Sequence, residues 1–186
     1  MNSINELFTV IRMAYAATFA DAVASAADAH VEAALRNADG SLALEGAFGL
    51  PMRIDLIPRR GAQAGKSLSI DSEQRMLFSV HAVSMPPATL YIAPFVWDCI
   101  SLRISGMTAQ QAGAVLAPWF MEWFDPHDTN RQNQEGLFGV VHFLSDPCEE
   151  GGMVAANLDL GSAPPEALED LLARLAAAGA SDIRLA

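Results

Sequence analysis

Positive charge is scarce in this sequence, which contains a single lysine, Lys66, and only 11 lysine and arginine residues against 22 aspartate and glutamate residues. The formal net charge at pH 7 is therefore −11. A surface this acidic repels phosphate backbones and anionic lipids, so the charge argues against nucleic-acid binding and against binding at a membrane surface. The acidity serves solubility or, alternatively, helps to hold a basic or aggregation-prone partner.

Cysteine is almost as scarce, because Cys99 and Cys148 are the only two in the chain. Two cysteines cannot form the disulfide framework of a small secreted protein. We expect Cys99 to be buried in a strand and Cys148 to lie in a turn, where it could be exposed. The sequence also lacks a basic segment before Arg12 and any run of about 18 uninterrupted apolar residues, which signal peptides and membrane spans require. These absences predict a cytoplasmic protein.

The common motifs of catalysis and metal binding are also missing. There is no Cys-x-x-Cys pair, no pair of histidines at the spacing of a helix-borne zinc site and no Gly-x-Ser-x-Gly nucleophile motif. The segment Gly61–Ser67 looks like a phosphate-binding loop, but three residues separate its glycines where the Walker pattern has four. We therefore predict no cofactor, no metal and no catalytic residue, and favour a non-enzymatic protein.

Two weaker candidates for chemistry remain. One is the loop Asp125–Asp128 together with Asn130, His142 and Asp146, whose carboxylates and imidazoles could bind a divalent cation. The other is a catalytic or small-molecule pocket, for which at least two of four residues would have to converge with a carboxylate. These four residues are His81, Cys99, His127 and His142.

The second half of the chain predicts the order strand, helix, strand, strand, helix, strand. Thr108 and Gln111 have the spacing of a capping box, which opens a helix. Proline at 164 and 165, followed by glutamate, starts the last helix. The predicted elements are a strand over 96–105, a helix from 108 to 124, strands over 137–144 and 153–160, a helix from 164 to 178 and a short strand over 183–185.

The first half predicts a different pattern. Apolar residues recur every three or four positions from residue 4 to residue 35, which predicts a helical segment over 1–40, either one long helix or two. Period-two alternation follows over 41–95 and predicts a meander of strands. In one predicted strand Leu50, Met52, Ile54 and Leu56 alternate with Arg53 and Asp55, and another strand covers 75–84. Residues 90–92 either pair with the preceding strand or lead directly into the strand that follows.

Candidate binding residues are of two kinds. Large aromatic residues cover more than one face of the second predicted helix and the far face of the strand before it, and those not needed for core packing could anchor a partner. A loop after residue 58 carries the only basic cluster, which could contact an acidic group on a partner or simply be solvated. The aromatic residues are Trp97, Trp119, Trp123 and Phe124, and the basic residues are Arg59, Arg60 and Lys66.

The order of predicted elements over most of the chain is similar to that of bacterial type III secretion effector chaperones. Acidity and small size extend the resemblance, as does the segment Met153–Ala178, an alternating strand that runs into a leucine-rich helix begun by proline and glutamate. The resemblance implies a homodimer that binds a non-globular segment of a partner along hydrophobic sheet surfaces, without catalysis.

Together these observations predict a single α+β domain, with a long N-terminal helix, an antiparallel sheet and a C-terminal β-α-β-β-α-β segment that is either ferredoxin-like or secretion-chaperone-like. The leading functional hypothesis is a non-enzymatic protein-binding domain of chaperone, adaptor or immunity type. One alternative is a small-molecule-binding or catalytic domain with a His/Cys/Asp pocket. A third is a structural protein of a phage or mobile element.

Overall fold

A computed structural model describes residues 4–26, 28–72 and 75–186 of the chain. These residues form three helices and nine strands, which confirms the predicted α+β class with a long N-terminal helix. The helices are α1 (Ile4–Ser25), α2 (Ala109–Phe124) and α3 (Pro165–Ala177). The strands are β1 (Ala29–Ala34), β2 (Arg53–Pro58), β3 (His81–Met85), β4 (Ala88–Ile92), β5 (Ile100–Ser105), β6 (Phe143–Leu144), β7 (Cys148–Glu150), β8 (Met153–Asp159) and β9 (Asp182–Leu185).

The second half of the chain follows the predicted order of elements with one addition. Cys148 was expected in a turn, but Cys148–Glu150 form the extra strand β7, because they pair with β8. In the large sheet the strands lie in the order β3-β4-β9-β5-β8-β6, and β7 also pairs with β8. Strand β5 is antiparallel to both of its neighbours, β8 and β9. The order β9-β5-β8-β6 is that of a ferredoxin-like split β-α-β unit. The predicted strand over 137–144 is shorter than expected, because only Phe143 and Leu144 pair with β8.

The starts of α2 and α3 follow their sequence signals. The Thr108 hydroxyl accepts a hydrogen bond from the Gln111 N–H (3.3 Å), and the Gln111 side chain accepts one from the Thr108 N–H (2.8 Å). This is the predicted capping box, which satisfies backbone donors that the first turn of a helix leaves free. Pro165 begins α3, where a missing N–H costs nothing.

The helices cover one face of the large sheet. Helix α3 contacts both α1 and α2, and α2 also contacts β8. Along β5, Ile100, Leu102 and Ile104 are fully buried in the same apolar core as the helices, whereas Ser101 and Arg103 are only partly buried. The second face of this sheet is therefore accessible.

The prediction of a helical segment over 1–40 is wrong beyond Ser25. Residues Ala29–Ala34 form β1, which pairs antiparallel with β2 in a separate two-stranded sheet. An alanine-rich sequence favours a helix, but helix propensity is a weak preference that a pairing strand can override. Residues 1–3 and 27 of the predicted helix lie outside the described residues.

The predicted strand meander over 41–95 is confirmed only in part. Strands β3 and β4 form an antiparallel hairpin, so residues 90–92 pair back on the preceding strand. Between β2 and β3 the described residues form no strand, and Leu68 makes only an isolated bridge with Leu56. The strand predicted over 75–84 begins at His81, because residues 75–80 have no pairing partner in the described part of the sheet.

Helix α1 is long and apolar enough, by length and composition, to cross a membrane. It has 22 residues and a mean hydropathy of 1.4 over its most apolar stretch, of which 33% is buried in this fold. Phe8, Tyr15 and Phe19 lie on its buried side. The core helix of a soluble protein and an N-terminal signal sequence share this character, so the cytoplasmic location stays a prediction.

Candidate metal centre

His142 lies where the two sheets meet. Its carbonyl oxygen accepts a hydrogen bond from the Arg53 N–H of β2 (3.0 Å), and its N–H donates to the Asp159 carbonyl at the end of β8 (3.0 Å). The imidazole is fully buried. The backbone therefore places this ring between the small sheet and the large one.

Two carboxylates from the small sheet flank the ring of His142. Val31 pairs with Leu56, and Ala33 pairs with Ile54. Glu32 of β1 therefore lies opposite Asp55 of β2. Opposite residues of an antiparallel pair project on the same side. Nε2 of His142 lies 2.7 Å from Glu32 Oε1, and Nδ1 lies 2.7 Å from Asp55 Oδ1. The second contact is close, but Nδ1 is not aligned for a hydrogen bond within the described structure.

A third carboxylate comes from the large sheet. Asp159 Oδ2 lies 3.9 Å from His142 Nδ1, on the same side of the ring as Asp55. We refer to Glu32, Asp55, His142 and Asp159 as the His142 cluster. Three of its donor atoms, one each from Asp55, His142 and Asp159, lie within 4.8 Å of one another. Atoms that share one cation at about 2.0–2.2 Å lie up to about 4.4 Å apart, so the spacing is close to that of a single ligand set.

The carboxylate of Glu32 is held on every side. Its Oε2 accepts a hydrogen bond from the Phe138 N–H (2.6 Å), and its Oε1 accepts one from the Ser162 hydroxyl (2.5 Å). The Ser162 oxygen in turn accepts a hydrogen bond from the Gly139 N–H (2.8 Å). Glu32 is fully buried and has a φ of 50°, a conformation that a non-glycine residue rarely adopts. These bonds fix the orientation of the imidazole through Nε2.

The outer oxygens of the other two carboxylates are also bound. Asp55 Oδ2 accepts a hydrogen bond from the Ile70 N–H (2.6 Å), and Asp159 Oδ1 accepts one from the Gly161 N–H (2.8 Å). The inner oxygens, Asp55 Oδ1 and Asp159 Oδ2, are the ones that face His142 Nδ1. Backbone N–H groups thus orient the two aspartates, and Glu32 orients the imidazole, so that the three inner donor atoms face one another.

The inner side of the His142 cluster opens into a cleft of about 390 Å³. Asp55 and Asp159 lie in its wall, and the Asp159 side chain is 26% exposed to solvent. A third carboxylate in the wall, Asp98, accepts a hydrogen bond from the Ser72 N–H (3.2 Å). We call this the acidic cleft. Its remaining lining residues are Met52, Arg53, Ile54, Ser67, Leu68, Ser69 and Phe143.

The charges of the His142 cluster depend on one another. Burial by itself lowers the pKa of His142, but the Asp55 and Glu32 carboxylates outweigh burial and raise this pKa to about 10. Burial raises the pKa of Asp159 to about 7, although His142 opposes the shift. Burial also acts to raise the pKa of Glu32, but its contacts with His142 leave it below the ordinary value. Three carboxylates surround one imidazole, so the site favours additional positive charge.

The charges of the same carboxylates act on a buried tyrosine hydroxyl that has no hydrogen-bond partner among the described residues. Tyr15 of α1 is fully buried, and its hydroxyl makes no hydrogen bond within the described residues. Burial raises the pKa of Tyr15, and the charges of Asp159 and Asp55 raise it further. The Tyr15 ring packs on Phe19 at 5.7 Å, and Phe19 meets the His142 ring edge-on at 6.0 Å.

The loop predicted as the weaker metal site does not form one with His142. Asp128 pairs with Arg53 (2.8 Å), and the Asp125 carboxylate accepts hydrogen bonds from Thr129 and Asn130 inside its own turn (both 2.8 Å). The other predicted member, Asp146, accepts hydrogen bonds from the backbone at residues 47 and 48. The carboxylates around His142 come from β1, β2 and β8 instead.

Of the four residues considered for a pocket, only His142 lies among carboxylates in this way. His81 is exposed and stacks on Phe78 at 5.7 Å, and His127 is exposed. Cys99 is also exposed, so the prediction that it is buried in a strand is wrong, because β5 begins one residue later at Ile100.

The predicted aromatic binding residues lie mostly in the core. Trp97, Trp119 and Phe124 are fully buried, which agrees with the alternative that they serve packing. Trp123 is partly buried, and its Nε1–H donates to Asp170 (3.0 Å). In this conformation three of the four present no surface to a partner.

The basic cluster lies in the turn after β2. Arg59 and Arg60 both pair with Asp28, at 3.6 and 3.0 Å, and Lys66 is exposed. Two of the three positive charges therefore share one carboxylate, which balances only one of them.

Sequence reasoning missed most of the His142 cluster. The available signal was a carboxylate inside an otherwise apolar strand, as with Asp55 in β2 and Asp159 in β8. Because strands alternate, the same signal is typical of a solvated face, and it does not show that two such strands meet. The residues missed are Tyr15, Glu32, Asp55, Asp159 and Ser162.

Comparisons of the chain with protein-family models, with curated proteins and with solved structures found no match.

Proposed function

We propose that this protein binds one divalent cation through Asp55, His142 and Asp159, and that the cation acts on a small molecule in the acidic cleft. The observation that carries the proposal is the convergence of three donor atoms, one each from Asp55, His142 and Asp159. In each of these side chains the other oxygen or nitrogen is already bound by another group of the protein. In metal sites the ligating histidine commonly donates its other ring N–H to a carboxylate. Glu32 holds Nε2 of His142 at 2.7 Å in this manner.

Charge supports a divalent cation. With the cation bound, Nδ1 of His142 carries no proton, and the two carboxylates of Asp55 and Asp159 balance the double positive charge. Carboxylates suit Mn²⁺ and Mg²⁺, whereas imidazole suits Zn²⁺ and Fe²⁺. A mixed set of two carboxylates and one imidazole therefore favours Mn²⁺, Fe²⁺ or Zn²⁺ over Ca²⁺, which prefers six or more oxygen ligands.

The number of protein ligands supports catalysis rather than a purely structural role. Structural zinc sites are closed by four protein ligands, whereas catalytic sites have three and leave a position for water or substrate. Here three donors converge, and Asp55 and Asp159 also line the acidic cleft. Such a cation polarises an oxygen of the substrate or activates a bound water. The function favoured is thus a metal-dependent enzyme. It is a catalytic domain, like the His/Cys/Asp alternative that the sequence left open, but it departs from the prediction that the protein has no metal.

Metal titration of the chelator-treated protein tests the proposal. We expect calorimetry to show one equivalent of Mn²⁺ or Zn²⁺ bound. We expect Asp159→Asn to weaken metal binding by on the order of 100-fold, because loss of a ligand should cost at least as much affinity as loss of a residue that hydrogen-bonds a ligand. The matched control is Glu149→Gln, which removes a carboxylate that is exposed on β7. Equal affinities of the wild type and Asp159→Asn, or no stoichiometric binding of Mn²⁺, Fe²⁺ or Zn²⁺, would contradict the proposal.

We also propose, as a second candidate, a protein-binding function exercised through the accessible face of the large sheet, in a cytoplasmic homodimer. A shallow groove of about 360 Å³ crosses this face beside Val80, Tyr91 and Arg184. Val80 is 61% exposed and Leu77 is 86% exposed, values unusual for large apolar side chains. These exposed groups support contact with a second copy or with another protein.

Light scattering over a range of concentrations tests this second candidate. We expect a molar mass near twice the 19.8 kDa of the chain, and we expect Val80→Glu to shift the protein toward the monomer by placing a charge in the contact. Val10→Glu is the matched control, since Val10 is an exposed valine of α1. A wild-type monomer at every concentration would count against the homodimer.

A further inference from the structure

The hydroxyl of Tyr15 is a polar group that the fold buries without giving it a partner. Tyr15 is 0% exposed, and its oxygen has no hydrogen-bonding atom within reach among the described residues. Native structures satisfy nearly all buried polar atoms, so an orphan hydroxyl indicates a bound water, ion or ligand. The second orphan is Nδ1 of His142 in the candidate metal centre, which lies 2.7 Å from Asp55 Oδ1 but is not aligned for a hydrogen bond with it.

One aromatic ring, that of Phe19, packs against both Tyr15 and His142. The Tyr15 ring contacts Phe19 with a centroid distance of 5.7 Å, and the edge of Phe19 contacts the His142 ring at 6.0 Å. The carboxylates that act most strongly on the tyrosine hydroxyl are Asp159 and Asp55, the two proposed ligands. The hydroxyl is therefore within electrostatic range of both proposed ligands, yet it donates to neither carboxylate.

A single bound species can satisfy both the Tyr15 hydroxyl and Nδ1 of His142. A bare cation would engage Nδ1 of His142 but could not accept a hydrogen bond from Tyr15. A cation that carries a water or hydroxide engages Nδ1 and also offers the oxygen that the tyrosine hydroxyl needs. Coordination by Tyr15 itself requires loss of its proton, which burial and the nearby carboxylates oppose.

We propose that the Tyr15 hydroxyl donates a hydrogen bond to the oxygen that occupies the open position of the cation bound by Asp55, His142 and Asp159. This inference rests on the proposed metal site and assigns the fourth ligand of that site. The donor is a positioning residue: it fixes the direction of the bound oxygen and stabilises hydroxide more than neutral water. When the bound water ionises, its proton leaves to solvent through the acidic cleft, and the oxygen remains on the cation.

Cobalt provides the readout, because the visible absorption of protein-bound Co²⁺ changes when a bound water ionises. We compare Co²⁺-loaded wild type with Tyr15→Phe over a pH titration. We expect the pKa of the cobalt-bound water to be higher in Tyr15→Phe by about 1–2 units, the effect of losing one hydrogen bond to a charged oxygen. We expect Co²⁺ affinity below that pKa to change by less than about threefold, since the cobalt ligands are unchanged.

The only other tyrosine provides the matched control. Tyr91 lies on β4 at the accessible face of the large sheet, where Arg184 stacks over its ring at 5.3 Å. Tyr91→Phe is expected to leave the pKa of the cobalt-bound water unchanged. Because the sequence has two tyrosines, labelling with 3-fluorotyrosine gives two ¹⁹F resonances. Addition of Zn²⁺ to the labelled protein should shift the resonance of Tyr15 and leave that of Tyr91 in place.

The outcomes separate the two proposals. If wild type and Tyr15→Phe bind Co²⁺ equally and ionise at the same pH, the role of Tyr15 is overturned and the metal site stands. If neither binds Co²⁺ or Zn²⁺, both are overturned. Should Tyr15→Phe fail to fold, the ¹⁹F titration of the labelled wild type decides: an unmoved Tyr15 resonance on saturation with Zn²⁺ overturns the role of Tyr15.

Discussion

Replacing Glu32 by alanine is expected to lower the free energy of unfolding by about 3–5 kcal/mol, the cost of removing one partner from a buried ion pair. The carboxylate is fully buried and lies 2.7 Å from Nε2 of His142. Its removal leaves the Phe138 N–H and the Ser162 hydroxyl without the acceptor that each now has. Unpaired buried donors and an imidazole with less opposing charge both raise the free energy of the folded state.

Urea denaturation of the metal-free protein measures this effect. The matched control is Glu122→Ala, because Glu122 also pairs with a basic residue at 2.7 Å, but its side chain is 61% exposed. Surface ion pairs contribute about 0–1 kcal/mol, so the control should change stability little. A loss at Glu32 no larger than the loss at Glu122 would show that the His142 cluster does not hold the two sheets together.

Replacing Gly161 by alanine should produce the second large effect, a loss of about 2–5 kcal/mol in the free energy of unfolding. A Cβ built on Gly161 overlaps the ring of His142, and the ring has no room to move because both of its nitrogens contact carboxylates. Overpacking of this kind costs about 1–3 kcal/mol. Gly161 also has a φ of +50°, and an alanine held there adds about 1–2 kcal/mol.

Gly151→Ala separates the two contributions. Gly151 has a φ of +60° in the turn between β7 and β8, but a Cβ there meets no atom within 4 Å. The control variant should therefore lose only the conformational part, about 1–2 kcal/mol. Thermal or urea unfolding of both variants gives the comparison. Equal losses at the two glycines would mean that the close approach of residue 161 to His142 is not a constraint on the fold.

Local signals in the sequence were sufficient for both helices of the second half and for strands β5, β8 and β9, but not for the length of β6 or for β7. Thr108 with Gln111 and the prolines before α3 mark helix starts through backbone chemistry that acts over three or four residues. The same reasoning failed after Ser25, where β1 replaces a predicted helix. A strand needs a partner, and the paired residues of β1 and β2 lie 19 (Ala34 and Arg53) to 29 (Ala29 and Pro58) positions apart in the chain.

The orientation of β2 shows a related limit. Its alternation placed Met52 and Ile54 on one face and Arg53 and Asp55 on the other, and an apolar face is ordinarily the buried one. The structure buries Arg53 and Asp55 instead and leaves Ile54 partly exposed. Arg53 can be buried because it donates to the carbonyl oxygens of Phe124 (2.9 Å) and residue 125 (2.7 Å) at the end of α2. Period two fixes which residues share a face, but not which face turns inward.

The sequence by itself determined the α+β class, the acidic surface and the order of elements after residue 96, because composition and short-range hydrogen bonds are properties of neighbouring residues. Only the tertiary structure decided where chemistry can occur. Glu32, Asp55, His142 and Asp159 come from β1, β2, the segment before β6 and the end of β8, and no spacing relates them in the chain. They converge because two sheets meet at His142, and the position of that junction depends on long-range pairing.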